Sequence, residues 1–250
     1  MSEELRLGLI GENIFSSPSP QIHNYIYEKY DIKAKYNLYQ IKASEFEYLI
    51  KNLLKENYGL NVTMPYKEII IKYLKALSPE AEKTKAVNTI KDYIGFNTDY
   101  IAFKKLVKNK IKGKIRSSLI LGAGGAARAS AFALGDLGSK ILIFNRTKER
   151  AEKLANDLLR DDIESYVIDN LKVKDDIDVI VNTIPVDFNF NLNPLKGYID
   201  FVYSRFPSIN TATIIDGKEI LLYQAIEAEK IWFNLQFDEV ILDNVRKLIW

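Results

Sequence analysis

The chain has 250 residues, 47% of them hydrophobic and 27% charged, an ordinary balance for a globular protein and length enough for one large domain or two smaller ones. Its 35 basic and 33 acidic residues leave a net charge of +2, which gives no reason to expect a nucleic-acid or membrane-surface partner. There is no cysteine and one histidine. Disulfides, thiol nucleophiles and cysteine-ligated metals are thereby excluded, a multi-histidine metal centre or Ser-His pair has little to draw on, and no metal is expected.

The N-terminal run MSEELRLGLIG reaches a strand almost at once and lacks the apolar core of a secretory signal. No apolar run approaches the length of a bilayer span, so a cytoplasmic location is expected. Residues 5–10 read as the first strand, followed by a loop rich in proline and hydroxyls through Ser16-Ser17-Pro18-Ser19-Pro20. Ser19 followed by Pro20 predicts an N-cap and first helical position, and the helix runs through His23 towards Tyr30. Residues 34–41 read as a second strand. Ser44 is then expected to cap an amphipathic helix with Phe46, Leu49, Ile50, Leu53 and Leu54 inward.

A short strand ends near Asn61-Val62-Thr63, and Pro65 is expected to start a helix carrying Ile69, Ile70 and Leu74 on its apolar face. Ser78-Pro79-Glu80 begins another short helix. Strand-like pieces at 86–90 and 93–96 end in Asn97-Thr98-Asp99, where Thr98 or Asp99 can cap the helix holding Ile101, Phe103 and Leu106. Lys108, Lys110, Lys112 and Lys114 with Gly113 mark the best candidate boundary.

Beyond it, Leu119-Ile120-Leu121 is a run too short for a helix and right for a buried parallel strand. Gly122-Ala123-Gly124-Gly125-Ala126-Ala127 follows, then an alanine-rich helix, then a second apolar run at 141–144 ending in Asn145-Arg146-Thr147. Strand, glycine turn, helix and strand in that order form a dinucleotide-binding unit. Gly122 permits the tight turn, Gly124 lets the backbone approach a pyrophosphate, and Ala127 allows close packing of helix on strand. The helix start offers free N–H groups and a positive dipole end. At the second strand's end an NAD site usually carries an acid for the ribose 2′-hydroxyl. This chain offers Asn145, Arg146, Thr147, Lys148 and Arg150 instead, with Arg146 able to clamp a 2′-phosphate, so NADP is favoured. Further strands are expected at 165–168, 179–182, 199–203 and 213–215, and a helical tail from Gly217 onwards. Alternating elements of this kind predict α/β architecture with a mostly parallel sheet.

Polar residues collect at strand-to-helix junctions: Ser17 with Ser19, Asn61 with Thr63 and Lys67, and Asn88 ahead of Asp99. Hydroxyls, amides, one lysine and one carboxylate suit a small polyhydroxylated or carboxylated molecule. Taken singly, each has a plainer role as helix cap, turn residue or solvated lysine. Lys67 with Asp99 is the pairing suited to proton transfer at a carbonyl or alcohol. His23, alone and in mid-helix, reads as structural.

These motifs resemble the shikimate dehydrogenase family over nearly the whole chain. The resemblance rests on Ser17-Pro18-Ser19-Pro20-Gln21-Ile22-His23-Asn24, Asn61-Val62-Thr63-Met64-Pro65-Tyr66-Lys67, Ala86-Val87-Asn88-Thr89, Asn97-Thr98-Asp99, Gly122-Ala123-Gly124-Gly125-Ala126, Asn145-Arg146-Thr147, Asp200-Phe201-Val202-Tyr203 and the run from Gly217 to Gln224, in the family's order. It implies that Lys67 and Asp99 are the catalytic pair and that Ser17 and Ser19 hold the substrate carboxylate. Asn61, Thr63, Lys67, Asn88, Asp99, Tyr203 and Gln224 would contact substrate. Gly122, Ala123, Gly124, Gly125, Ala126, Asn145, Arg146, Thr147 and Arg150 would hold NADP. The chain departs from the family pattern at Asn13, Phe15, Lys85, Tyr100, the loop Asn182-Thr183-Ile184-Pro185-Val186, and Arg205.

The implied architecture has two lobes with a cleft between them. Residues 1–106 form an α/β substrate-binding domain on which C-terminal helices 219–250 pack back, and 107–218 form a Rossmann-type NADP-binding domain. The implied activity is reversible NADP-dependent reduction of 3-dehydroshikimate to shikimate in aromatic amino-acid biosynthesis, with a small-molecule substrate and a homodimer left open. A quinate/shikimate dehydrogenase with broader substrate or NAD use, a methylene-tetrahydrofolate dehydrogenase and a non-catalytic NADP-sensing protein of the same fold are the alternatives.

Overall fold

The computed structural model describes residues 3–171, 176–184, 194–202 and 209–249. It divides into two compact units, the first formed by residues 1–98 and 222–250 and the second by 99–221. The division falls earlier than 106/107 because the helix α4 (Thr98–Lys110) is tied into the second unit. Lys104 of that helix pairs with Asp136 at 3.0 Å, and Lys110 with Glu219 at 2.6 Å. No helix among the described residues is long and apolar enough to cross a membrane.

The first unit is built on a mixed sheet of strands β1 (Leu5–Gly11), β2 (Ala34–Gln40), β3 (Gly59–Val62), β4 (Ala76–Leu77), β5 (Thr89–Lys91) and β6 (Ile94–Phe96), in the order β2-β1-β3-β5-β6-β4. β1 pairs in parallel with β2 and β3, whereas β5 runs antiparallel to both β3 and β6. One face carries Ile10, Leu60, Val62 and Ile90 against Phe46, Ile50 and Leu54 of α2 (Phe46–Glu56). The other carries Leu7, Leu9 and Tyr36 against Tyr27 of α1 (Ser19–Lys29) and Ala228 and Trp232 of α7 (Gly217–Phe233). Alternation along β1 thus loads both faces, as period-two side-chain geometry requires. Gly59 lets Trp232 lie on the sheet, since a Cβ there would sit 2.4 Å from the indole nitrogen, which donates to the Ile90 carbonyl at 3.0 Å.

Several local expectations are corrected. The cap of α1 is Pro18, which has no side-chain acceptor to offer, and Ser19 is already inside the helix, its N–H donating to Ser17 Oγ at 3.3 Å and its hydroxyl accepting from the Ser17 hydroxyl at 3.1 Å. Glu45, not Ser44, precedes α2. After the cis Met64–Pro65 bond the chain makes only a short 3-10 helix, Ile69–Tyr73, burying Ile70 and leaving Ile69 exposed. Ser78 does cap α3 (Pro79–Thr84), accepting the Ala81 N–H at 3.3 Å. Lys85 then adopts a left-handed φ of 50°, a conformation glycine takes without strain, which is why a glycine would be at home there.

The second unit is a sheet of six parallel strands, β7 (Ser117–Leu121), β8 (Lys140–Phe144), β9 (Ser165–Val167), β10 (Val179–Asn182), β11 (Gly197–Asp200) and β12 (Ile214–Ile215), ordered β12-β11-β10-β7-β8-β9. This is the doubly wound order, reversing between β7 and β10, where such sheets bind ligands. β7 is buried along its length, as a strand covered on both faces must be. The helices α5 (Gly125–Gly135) and α6 (Lys148–Arg160) are joined by a buried ion pair, Arg128 to Asp157 at 2.7 Å. The remaining helix is α8 (Glu239–Ile249), in the first unit.

At the other end of this sheet Asp178 accepts the Arg116 N–H at 2.7 Å and pairs with Lys196 at 3.1 Å. Burial pushes its carboxyl up, but the Arg116 N–H, the Lys196 ammonium and the Ser117 N–H outweigh that and hold it below the usual value. A depressed folded-state pKa adds stability above the unfolded value of about 3.9 and loses it as pH falls through the folded one. In urea unfolding, Asp178→Asn is therefore expected to lower stability at neutral pH and to converge on the parent protein in acid. A stability deficit that persists undiminished below that window would contradict the assignment.

Candidate active site

In the first unit Asn61 lies in the sheet itself, whereas Asn88 occupies the bend just before β5. Asn61 is on β3 directly opposite Thr89 on β5, and both are buried. The Asn61 Nδ2 donates to Thr89 Oγ1 and to the Asn88 carbonyl, each at 3.0 Å, while its Oδ1 accepts from the Tyr36 hydroxyl at 2.6 Å. Asn88 Oδ1 accepts the Thr98 backbone N–H at 2.7 Å and so caps the start of α4 from outside the helix. Its Nδ2 donates to Thr98 Oγ1 at 2.9 Å and reaches Gln224 Oε1 at 3.5 Å. Asn61, Asn88 and Gln224, distant in sequence, are thus brought together with Thr89 and Thr98.

The lysine segment is fastened to the same network through its backbone. Val62 N–H donates to the Asn88 carbonyl at 2.9 Å, and Val87 N–H to the Lys67 carbonyl at 2.8 Å. Lys67 is half-buried, as is Thr63, whose N–H donates to the Ile10 carbonyl at 2.8 Å. Ser17 and Ser19 sit at the start of α1 with their hydroxyls joined. Asp99, buried in the first turn of α4, belongs to the second unit. Next to it Tyr100, at a position where the family often has glycine, donates its hydroxyl to Asp136 at the end of α5. Tyr203 and Arg205, and Pro185 and Val186 of the loop after β10, lie outside the described residues.

In the second unit the glycine turn follows β7 at the switch point. Gly122 has φ +115° and donates its N–H to the Phe144 carbonyl at 2.8 Å, and a Cβ there would lie 2.2 Å from Thr183 Oγ1. A Cβ on Gly124 would meet nothing within 4 Å. The backbone is therefore open at this point, and α5 begins there without a side-chain cap. Open space before an uncapped helix start fits a pyrophosphate. Ala127 is fully buried where helix meets strand. After β8, Asn145 Nδ2 donates to the Thr147 carbonyl at 2.7 Å, closing the turn that leads to α6. Arg146, Thr147 and Arg150 are exposed around it, while Lys148 pairs with Asp169 at 2.9 Å. The arrangement fits a dinucleotide whose ribose end is met by cationic groups. Among the described residues no group of three or more His, Cys, Asp or Glu side chains could hold a metal.

Thr89 and Asn24 stand inside the motif segments but carry no role by sequence, and Tyr36 lies outside every motif. Tyr36 looks like any strand tyrosine, and its bond to Asn61 spans two strands, so no spacing announces it.

Two family profiles match the chain, one described as the shikimate dehydrogenase substrate binding domain over residues 9–90 and one as shikimate/quinate 5-dehydrogenase over residues 105–186. The chain is 45% identical over 257 residues to the shikimate dehydrogenase of Sulfurisphaera tokodaii, covering 98% of this chain and 96% of that protein. It is 40% identical over 245 residues to the shikimate dehydrogenase (NADP(+)) of Sulfolobus acidocaldarius, covering 94% and 92%. A crystal structure of the shikimate 5-dehydrogenase of Thermus thermophilus in complex with NADP(H) and shikimate superposes with a TM-score of 0.80 at 26% identity, covering 98% of this chain and all of that one.

The left-handed Gly122 and its contact with Thr183 make this turn intolerant of a side chain. Gly122→Ala is expected to cost at least about 1–3 kcal/mol from backbone strain, read by urea unfolding, and to abolish dinucleotide binding measured by fluorescence. Full stability together with unchanged binding would refute the geometry assigned to the turn.

Proposed function

The chain belongs to the shikimate dehydrogenase family, and from that premise we propose how its residues carry out the reversible, NADP-dependent reduction of 3-dehydroshikimate to shikimate. What supports the reading is a coincidence within each unit: the glycine turn lies at the switch point of the parallel sheet, while Asn61, Asn88 and Gln224 converge in the mixed one. Residues 1–98 with the C-terminal helices serve as the substrate domain, and the parallel-sheet unit as the NADP domain.

In this reading the N–H groups at Gly124, Gly125 and Ala126 hold the pyrophosphate, and Asn145, Arg146, Thr147 and Arg150 surround the adenosine ribose and its 2′-phosphate. The planar fork of Arg146 supplies two parallel donors to a phosphate, which a 2′-hydroxyl cannot use equally. Bound NADP supplies the hydride acceptor for the alcohol carbon. Ser17 and Ser19 donate hydroxyl protons to the substrate carboxylate, and Asn61, Thr63, Asn88, Tyr203 and Gln224 bind the ring hydroxyls. Lys67 gives up or takes the proton on the oxygen at C3, and Asp99 is its acidic partner. Donation of that proton by Lys67 serves the reductive direction, and its uptake the oxidative one. The cytoplasm is the proposed place of the reaction, and a quinate/shikimate dehydrogenase with broader substrate use is the alternative reading.

Positioned acid–base help of this kind is worth about 10²–10⁴ in rate. Lys67→Ala is therefore expected to lower kcat by that order while changing the shikimate KM much less. Steady-state kinetics showing near-normal turnover would remove Lys67 from the reaction.

A further inference from the structure

We propose that Tyr36 is a positioning residue for substrate recognition: it fixes the side-chain amide of Asn61 so that Asn61 reads its ligand only as a hydrogen-bond acceptor. The proposal rests on the reading of the substrate as shikimate. A primary amide has two N–H donors and an oxygen with two lone pairs. In Asn61 both donors are used inside the protein, on the Asn88 carbonyl and Thr89 Oγ1. One lone pair of Oδ1 is filled by the Tyr36 hydroxyl at 2.6 Å. What remains is a single acceptor position. It suits a ligand hydroxyl, which donates, and rejects a ketone or an absent group at the same place, because a buried polar group left without its partner is costly.

Tyr36 is itself held from three sides. Its backbone N–H donates to Asn24 Oδ1 at 2.8 Å and its carbonyl accepts from Asn24 Nδ2 at 3.2 Å. Its ring stacks on His23 with centroids 4.1 Å apart and planes 10° from parallel. His23 Nδ1 is hydrogen-bonded to Glu229 of α7 at 2.5 Å, with both side chains fully buried. The last two residues of the motif that begins at Ser17 are therefore occupied in gripping Tyr36. Burial, and then the charge of Glu229, push the Tyr36 hydroxyl well above its ordinary pKa, so it stays protonated and remains a donor to Asn61. Without that donor the Asn61 oxygen loses its fixed partner, and the amide is held through its two N–H groups alone.

The test compares shikimate with analogues each lacking one ring hydroxyl, in the full-length protein with NADP. Tyr36→Phe keeps the ring on His23 and removes the donor. It is expected to raise the shikimate KM roughly tenfold, the value of about one hydrogen bond. kcat and the NADP KM should be unchanged, and discrimination against the analogue that the parent enzyme rejects most should shrink. Thr89→Val, which removes the acceptor on the other side of Asn61, should do the same, and Thr89→Ser should restore the parent values. If Tyr36→Phe fails to fold, the Thr89 pair decides. Folded Tyr36→Phe with an unchanged shikimate KM and unchanged discrimination, or a Thr89→Ser protein that behaves like Thr89→Val, would overturn the proposal. A parent enzyme that forms no NADPH from shikimate would sink the functional reading beneath it, a distinct result.

Discussion

Asn88 Oδ1 accepts the Thr98 backbone N–H at 2.7 Å, and the polar interior of the first unit is arranged around that bond. The first N–H groups of a helix need partners from outside it, and for α4 one comes from an amide in the bend before β5, ten residues back in the chain. The bond fixes where α4 starts, and hence the backbone that leads into Asp99. The same amide reaches Gln224 on α7, and the Asn88 carbonyl accepts from Asn61 and from Val62. Low surrounding polarity makes such a network strong when complete and costly when any member is lost. The network therefore orients its side chains before a ligand arrives, on a sheet whose two faces are packed by apolar side chains.

The second unit depends on a different constraint, the geometry of the parallel sheet. Where the strand order reverses between β7 and β10, the chain leaving β7 must turn sharply, and Gly122 makes that turn with a positive φ while the Thr183 hydroxyl, bonded to the Leu121 carbonyl at 2.8 Å, closes over it. The buried Arg128–Asp157 pair then locks α5 to α6. Removing either partner would leave a charge uncompensated in the interior, a change that typically costs about 3–5 kcal/mol. Asp200, also fully buried, ties the ends of β10 and β11 by accepting from Asn182 Nδ2 at 3.1 Å and from the Val202 N–H at 2.9 Å. Each device stiffens the end of the sheet at which a dinucleotide is expected to lie.

The glycine turn, the flanking strands and the cationic turn after β8 were legible in the sequence, because each depends on residues adjacent in the chain. Local inference failed where a side chain had a better partner than the backbone beside it. Ser19 reads as a cap, yet its hydroxyl bonds Ser17; the run after Pro65 has helical spacing, yet makes only a 3-10 turn with Ile70 inward. Asn61 and Asn88 could be flagged as polar residues at junctions, but their roles follow from pairing across strands that no spacing reveals. Tyr36 is the clearest case, since its hydroxyl meets an amide 25 residues away. Lys85 and Tyr100 were visible only as departures. The structure supplies their reasons, a left-handed backbone at Lys85 and a hydroxyl that Tyr100 gives to Asp136.

The claim on which this account turns is that a cationic dinucleotide turn and an amide-lined substrate sheet serve one oxidoreductase. The most direct measurement is NADPH formation, followed by absorbance, when purified protein is given shikimate and NADP, with NAD in parallel. Turnover is expected, with a kcat/KM for NADP that exceeds the value for NAD by about tenfold or more, as a charge-assisted contact to the 2′-phosphate implies. No reduction of either dinucleotide, or a preference for NAD, would contradict it.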